Sequence, residues 1–138
     1  MRTQREAQSG TGIVVTRQVD CETYVGTSRL TKILIDKRSG IQGASLSWVT
    51  MPPGGETEKH VKNETEIIFV IHGSLRLNTP QGSVVMEAGD GGAIPPKILH
   101  SHQNCGREWN QFLVIITPDG PEQGFRGRST LEKTKVES

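Results

Sequence analysis

The spacing of short apolar stretches restricts the fold of this chain more than any other feature of its sequence. Roughly nine short stretches are predicted strands, and turns rich in glycine, proline and other polar residues separate most of them. Strands this short and this closely spaced are typical of a β-sandwich or a β-barrel. No convincing amphipathic helix lies between them. The predicted strands are residues 13–16, 30–36, 44–51, 66–71, 74–78, 83–87, 91–94, 100–104 and 111–117.

The stretch at residues 66–71 contains one of the two longest apolar runs in the chain. On an extended strand, Ile68 and Val70 point to one side, whereas Ile67, Phe69 and Ile71 point to the other. A strand with one solvent-exposed face would not carry apolar residues on both sides. We therefore expect it to be covered twice, by the barrel interior and by either a second layer or another subunit.

Length and composition fit one small β domain. The chain has 138 residues, of which 33% are hydrophobic, 16 are glycine and 7 are proline. That composition favours many short strands and turns, and the length suits a single domain. We expect a flexible N-terminal arm at residues 1–12, a β-barrel at 13–120, and a polar C-terminal tail at 121–138 that is either a short helix or disordered.

Charge and hydropathy narrow the classes of partner. Sixteen basic and fifteen acidic residues give a net charge of +1, so the chain has no field for gathering nucleic acid or an anionic membrane. The longest apolar runs have five residues, which is too short for a membrane span or a signal peptide. With its polar start and two isolated cysteines, Cys21 and Cys105, the chain is expected in the cytoplasm with both thiols reduced.

Gly54, His60, Glu66 and Gly73 follow one another at intervals of six, six and seven residues. This spacing resembles the first of the two motifs of the cupin superfamily, except that Lys62 stands where the family has its second histidine. His60 and Lys62 are two residues apart, so they share a face on an extended chain. A short turn then reverses the chain before Glu66.

The second motif follows after one predicted hairpin. Gly89, Pro95, His100 and Asn104 stand at the family's spacing, and Lys97 replaces the family's glycine. Together the motifs extend the resemblance over about residues 44–118. The resemblance implies an all-β fold in a single domain, the cupin double-stranded β-helix, which is a jelly-roll barrel.

In the cupin family, residues at these positions hold Fe(II), Mn(II), Ni(II), Zn(II) or Cu(II). The resemblance therefore implies a divalent transition metal held by His60, Glu66 and His100. Two histidines and one carboxylate are also the ligand set of non-haem iron sites with open positions. The alternative is a degenerate barrel without metal, in which both histidines are hydrogen-bonding residues of the wall.

Lys62 has three possible roles. Beside a metal, its ammonium group would be repelled, so it would be deprotonated or turned away and could act as an acid–base catalyst. Without a metal, it could pair with Glu66 or Glu64 and neutralise the site. It could also point to solvent, as most lysines do.

His102 lies two residues after His100 and should face the same side of its strand. It could supply the missing nitrogen ligand or donate a proton from the second layer of the site, so we place it with Lys62 as a candidate catalytic residue. The alternative is an inert, hydrogen-bonded histidine of the barrel wall.

These features predict a metal-dependent cupin enzyme that acts on a small organic molecule by dioxygenase, lyase or isomerase/cyclase chemistry. Enzymes of this kind occur in bacterial degradation and natural-product pathways. The alternative is a non-catalytic or metal-free cupin that binds a small-molecule ligand. The sequence contains no glycine-rich phosphate loop and no nucleophile elbow, which argues against phosphoryl transfer and serine hydrolysis. We expect a homodimer, since the resemblance implies one.

Overall fold

A computed structural model describes residues 6–7 and 10–118 of the chain, and within them the fold is all β. Eleven strands form three antiparallel sheets, and two short 3-10 helices, Gln18–Asp20 and Lys37–Ser39, lie between strands. The strands are β1 (Glu6–Ala7), β2 (Val14–Val15), β3 (Tyr24–Gly26), β4 (Arg29–Ile35), β5 (Ser45–Thr50), β6 (Thr65–His72), β7 (Ser74–Thr79), β8 (Gly82–Glu87), β9 (Gly91–Ile94), β10 (Ser101–Gln103) and β11 (Gln111–Thr117).

Two of the sheets form the body of the barrel. The larger has six strands in the order β3-β4-β5-β11-β6-β9, and the smaller has three in the order β10-β7-β8. The hydrophobic core contains residues of both, for example Ile68 and Phe112 from the larger sheet with Leu75 and Met86 from the smaller. The core therefore lies between the two sheets, as the predicted jelly-roll barrel requires.

All nine predicted strands are present, with bounds that differ by one residue at most ends. The strands β9 and β11 coincide with the predicted bounds. Alternation did not reveal β3, because Tyr24–Gly26 is only three residues long and all three are buried. Of the predicted N-terminal arm, Glu6–Ala7 pairs with β2, while the predicted C-terminal tail at 121–138 lies outside the described residues.

Strand β6 has the two faces that its sequence predicts, and one of them is partly exposed. Ile68 and Val70 are fully buried in the core. On the opposite face, Ile67 is 40% exposed and Phe69 is 46% exposed. No second layer formed by residues 10–118 covers this face, so these residues do not supply the first of the two predicted kinds of cover. Cover by another subunit stays a prediction.

Gly73 is the residue at which the chain passes from β6 in one sheet to β7 in the other. Its φ is 80°, in the left-handed region that favours glycine. A Cβ atom there would lie 3.1 Å from the Cα and the Cβ of Asn110. The motif glycine is therefore required both by the backbone conformation and by the close approach of Asn110.

Asn104, the last residue of the second motif, has a structural role. It is fully buried, and its side-chain amide donates to the carbonyls of Met51 at 2.9 Å and Glu108 at 2.8 Å. It thereby holds the loop after β10 against the end of β5. No disulfide joins Cys21, which is buried, to Cys105, which is exposed. None of the helices in the described part of the chain has the length and hydrophobicity to cross a bilayer.

Candidate metal centre

Backbone pairing brings the two motif histidines together. The backbone N–H of His60 donates to the carbonyl of His100 at 2.9 Å, and the N–H of His100 donates back at 2.9 Å. The two residues thus form an isolated antiparallel bridge, and a second bridge joins Glu56 to Gln103. Residues directly opposite on such a pair have adjacent side chains. This pairing explains how motifs that are distant in sequence place two imidazoles in one site.

The hydrogen bonds of His60 and His100 orient both rings toward the same point. Nδ1 of His60 lies 3.0 Å from the carbonyl of Glu58, and Nδ1 of His100 lies 2.8 Å from the carbonyl of Ile98. A carbonyl can only accept, so each Nδ1 carries a proton and donates it. In the neutral rings the lone pair is therefore on Nε2, which is the arrangement that metal-binding histidines use.

Nε2 of His100 is a buried atom without a hydrogen-bond partner among the residues that the structure describes. It lies 3.5 Å from Oε1 of Glu66, at the outer limit for a hydrogen bond, and in the neutral ring it carries a lone pair, which cannot donate to a carboxylate. Buried polar atoms in native proteins almost always have a partner. A metal ion bound by this lone pair would satisfy it.

Three histidines could hold a metal ion together. One ring nitrogen from each of His60, His100 and His102 lies within 4.8 Å of the others. Nitrogens bound to one ion at about 2.1 Å would be roughly 3–4 Å apart, so the rings would have to close by only a small distance. His102, which the sequence left between ligand and wall residue, thus joins His60 and His100 in this three-nitrogen group.

The carboxylate of Glu66 accepts hydrogen bonds from two side chains of the site. Nε2 of His102 lies 2.7 Å from Oε2 of Glu66, and Nζ of Lys62 donates to Oε1. Burial by itself would raise the pKa of Glu66, but the positive charge and hydrogen bonding of its neighbours hold it well below the ordinary value. Glu66 is therefore an anion at neutral pH, which suits it to face a cation.

Of the three roles predicted for Lys62, the structure shows the ion pair with Glu66. Its Nζ donates to Glu66 and also lies 3.0 Å from Nε2 of His60. The side chain of Lys62 is only 14% exposed, so it does not point to solvent. The structure shows no pair between Lys62 and Glu64 within the described residues. Its predicted catalytic role stays a prediction.

Burial keeps two of the histidines neutral near pH 7. It lowers the pKa of His60 to about 4, an effect that Lys62 strengthens and the hydrogen bond to Glu58 opposes. It also lowers the pKa of His102, although Glu66 acts in the other direction. Neutral imidazole is the form that binds metals. The electrostatics of the site therefore favour metal ligation over a pair of imidazolium ions.

A cavity of about 590 Å³ opens onto the site. His60, Lys62, Glu66 and His102 line one end of it. The remaining wall is mixed, and its residues include apolar Val49, Phe112, Val114 and Ile116, hydroxyl-bearing Thr31 and Ser47, and charged Arg29 and Lys59. A volume of this size is within the range for small-molecule sites.

Sequence reasoning missed three residues that shape the site. Thr57 accepts from the backbone N–H of His102 at 2.9 Å and holds that strand in place. The ring of Phe112 stacks on His102 with centroids 6.1 Å apart. Arg29 lines the cavity from the first position of β4. The predicted strand began one residue later, at 30, and only the register of the barrel shows that position 29 lines the cavity.

The fold is shared with several solved structures. The polyketide cyclase RemF from Streptomyces resistomycificus is 21% identical, with a TM-score of 0.70 over 77% of this chain and 80% of that one. An RmlC-like cupin from Shewanella frigidimarina is 15% identical, with a TM-score of 0.68 over 88% and 99%. A cupin-superfamily sugar phosphate isomerase from Silicibacter pomeroyi is 22% identical, with a TM-score of 0.64 over 73% of each chain. At these identities the likeness shows the fold alone.

The family itself follows from a sequence comparison. No curated protein matches the chain significantly. The family model described as a cupin domain matches residues 47–116, just over half of the chain and all of both motifs. With the barrel, the two motifs and this match in agreement, the chain belongs to the cupin family.

Proposed function

We propose that this chain is a metal-dependent cupin enzyme that acts on a small organic molecule. The observation that carries the proposal is the buried Nε2 of His100, which has no partner among the described residues and faces two further histidines and an anionic Glu66. Most buried polar atoms have a hydrogen-bond partner, so a buried wall histidine of an inert barrel is expected to have one on each nitrogen. The cavity lined by His60, Glu66 and His102 provides the room for a substrate.

The ligands would be His60 and His100 through Nε2 together with the carboxylate of Glu66, and His102, whose Nε2 donates to Glu66, would lie beside them. Imidazole and carboxylate ligands suit Fe, Mn, Ni, Zn and Cu, and the donor set does not distinguish them. When bound, such an ion acts as a Lewis acid or binds reactants at open positions. The protein's part is to orient the substrate along the apolar wall and to keep water away from the reacting atoms.

Proton transfer is the chemistry that the neighbouring side chains support best. His102, Glu66, Lys62 and His60 form one continuous series of polar contacts along the end of the cavity. Groups within hydrogen-bond reach of one another can pass or hold a proton during a reaction. This favours lyase or isomerase/cyclase chemistry over dioxygenase chemistry, with Lys62 and His102 as the acid–base residues.

The second candidate function is a metal-free cupin that binds a small-molecule ligand. The ion pair between Lys62 and Glu66 favours it, because an ammonium group already balances the buried carboxylate. In that case the three-histidine group would serve only to shape the pocket. The test of metal content separates the two functions.

Elemental analysis of protein purified without a nickel column is the deciding experiment. We expect close to one divalent metal ion per chain, lost on His100→Ala. The matched control is His72→Ala, which removes a histidine that pairs with Glu108 on the exposed surface and should keep its metal. Native protein that holds no metal, and takes up none when metal salts are added, would refute the metal-dependent function.

We also propose that two copies of the chain pair through the outer face of β6 and β11. Leu113 is directly opposite Phe69 and Ile115 is opposite Ile67, so four apolar side chains share this face. A two-fold interface needs one surface that complements itself, and an uncharged apolar sheet face satisfies that condition. The proposed partners are thus a small-molecule substrate and a second copy of the chain. The balanced charge argues against nucleic acid and membrane as partners. The proposed location of the protein is the cytoplasm.

Light scattering during size-exclusion chromatography tests the dimer. Native protein and the control Val84→Ser, which changes an exposed valine of the three-stranded sheet, should both have the mass of a dimer. Phe69→Ser should have the mass of a monomer. If the native protein stayed a monomer at high concentration, the dimer proposal would be overturned, and the proposed metal site would not be affected.

A further inference from the structure

We infer that Lys62 competes directly with the metal, so that a metal ion binds only when the ammonium group of Lys62 leaves Glu66 and His60. The inference rests on the proposed function, because it concerns the same site. Lys62 stands where the cupin motif has a histidine. The substitution therefore replaces a ligand by a residue that blocks the neighbouring ligands.

The contacts of Lys62 show which atoms it blocks. Its Nζ donates to Oε1 of Glu66 and lies 3.0 Å from Nε2 of His60. These are the two atoms through which His60 and Glu66 would hold a metal. A lone pair that accepts a hydrogen bond cannot bind a metal at the same time, so one cation excludes the other from this position.

Charge makes the exclusion stronger. The side chain of Glu66 is 2% exposed and that of Lys62 is 14% exposed, so solvent screens their surroundings only weakly. An ammonium group that stayed within a few ångström of a divalent ion in such a place would be strongly repelled. Lys62 must therefore move when a metal binds.

The structure also indicates how Lys62 can move. Its carbonyl accepts from the backbone N–H of Lys97 at 2.7 Å, so the backbone is held. Its side chain lines the open cavity, which offers room for the ammonium group. A flexible four-carbon stem lets that group turn away without a change of the main chain. Displaced into the cavity, it would be placed to contact a bound substrate.

Without a metal, the same ammonium group stabilises the site. It balances the buried carboxylate of Glu66, which would otherwise keep only its contact with His102 and with the more distant His100. Removing Lys62 should therefore have two opposite effects. The metal-free protein should become less stable, and metal should bind more tightly.

The test compares Lys62→Met with Lys59→Met. Lys59 lines the same cavity and contacts neither Glu66 nor His60 in any described interaction, so its substitution removes the same charge without removing the blocking contact. Metal-free preparations of native protein and both variants would be titrated with Co²⁺, followed by its visible absorption, and with Zn²⁺ in competition with a chelator. Thermal unfolding would be measured with and without metal.

We expect Lys62→Met to bind both ions at least about tenfold more tightly than native protein, the size of effect seen when groups that support metal ligands are changed. Lys59→Met should bind like native protein. The melting temperature of metal-free Lys62→Met should be below that of native protein, and metal should raise it further than it raises that of native protein. If Lys62→Met does not fold, Lys62→Gln keeps an N–H donor to Glu66 without the charge and should give the same order of affinities.

The outcomes separate this inference from the function on which it rests. Equal affinities in native protein and Lys62→Met would overturn the competition and leave the metal centre standing. Metal bound by Lys62→Met but not by native protein would support the competition and overturn metal dependence of the native chain. Metal bound by neither would overturn both. If Lys59→Met gained as much metal affinity as Lys62→Met, the effect of Lys62 would come from its charge alone. That result would overturn direct competition.

Discussion

Lys62 and Lys97 both stand where the cupin motifs have a different residue, yet they differ in almost every physical respect. Lys62 is nearly buried and contacts two candidate metal ligands through its side chain. Lys97 is exposed, and what is unusual about it is its backbone, whose φ of 69° lies in the left-handed region. The two positions even touch, because the N–H of Lys97 donates to the carbonyl of Lys62.

The contrast shows that a motif position can be needed for two separate reasons. The glycine that Lys97 replaces is suited to a backbone conformation, and a lysine can adopt the same conformation at some cost in strain. The histidine that Lys62 replaces is a ligand, and a lysine cannot reproduce its chemistry while it is protonated. We therefore expect changes at Lys62 or its partners to alter binding and stability, and changes at Lys97 to alter stability alone.

The largest effect should come from Glu66→Gln, which removes the partner of Lys62. This substitution leaves a mostly buried ammonium group and His102 without a negative charge to face. Breaking a buried ion pair by removing one partner costs about 3 kcal/mol or more. Urea unfolding of metal-free protein at pH 7 measures it, with Glu64→Gln, in the loop just before β6, as the control. A loss under about 0.5 kcal/mol, typical of surface pairs, would show that the pair contributes no more than an exposed one.

A smaller effect should be a fall in stability as the pH is lowered from 7 to 4. The pKa of His60 in the folded protein is about 4, below its ordinary value, so the unfolded chain binds more protons than the folded one between about pH 6.5 and 4. Lowering the pH through this window therefore destabilises the fold. The lowered pKa of His102 acts in the same direction, and that of Glu66 adds a further loss below about pH 4.5.

Thermal unfolding at several pH values measures this dependence. One proton can contribute at most about 1.4 kcal/mol per pH unit, and the partial exposure of His60 reduces its share. His60→Gln should flatten the profile between pH 6.5 and 5. Because Lys62 contributes to the lowered pKa of His60, Lys62→Met should flatten it slightly, whereas Lys97→Met should leave it unchanged. A native protein that becomes more stable as the pH falls would contradict the burial of neutral histidines as the cause.

The sequence was sufficient for the fold because the fold depends on local patterns. Alternation and turn residues located nine strands, and the two motif spacings located the residues that meet in the site. The side-chain contacts of these residues could be predicted less well from the sequence. That His102 lies among the three nitrogens depends on ring orientation, which the contacts with Glu66 and Phe112 determine. No pattern in the sequence contains that information.

The outer face of β6 shows the other limit of sequence reasoning. Its apolar residues predicted a cover, and residues 10–118 do not supply one. A sequence pattern reports that a face is suited to burial, but it does not say which molecule buries it. The arginine at the first position of β4 was missed for a similar reason, since its direction depends on the register of a whole sheet.

The smallest effect should come from Lys97→Gly, and its sign is opposite to that of Glu66→Gln. A residue with a Cβ atom in the left-handed region carries a strain of roughly 1–2 kcal/mol, which glycine relieves. Glycine also costs about 0.5–1 kcal/mol more conformational entropy on folding. The difference should stabilise the fold by about 0.5–1 kcal/mol in urea unfolding, while Lys59→Gly, at a position without positive φ, should destabilise it. Because glycine keeps the N–H that donates to the carbonyl of Lys62, metal affinity should stay unchanged. A gain in affinity would mean that the two lysines act as one unit and that the separation between backbone and chemical roles fails.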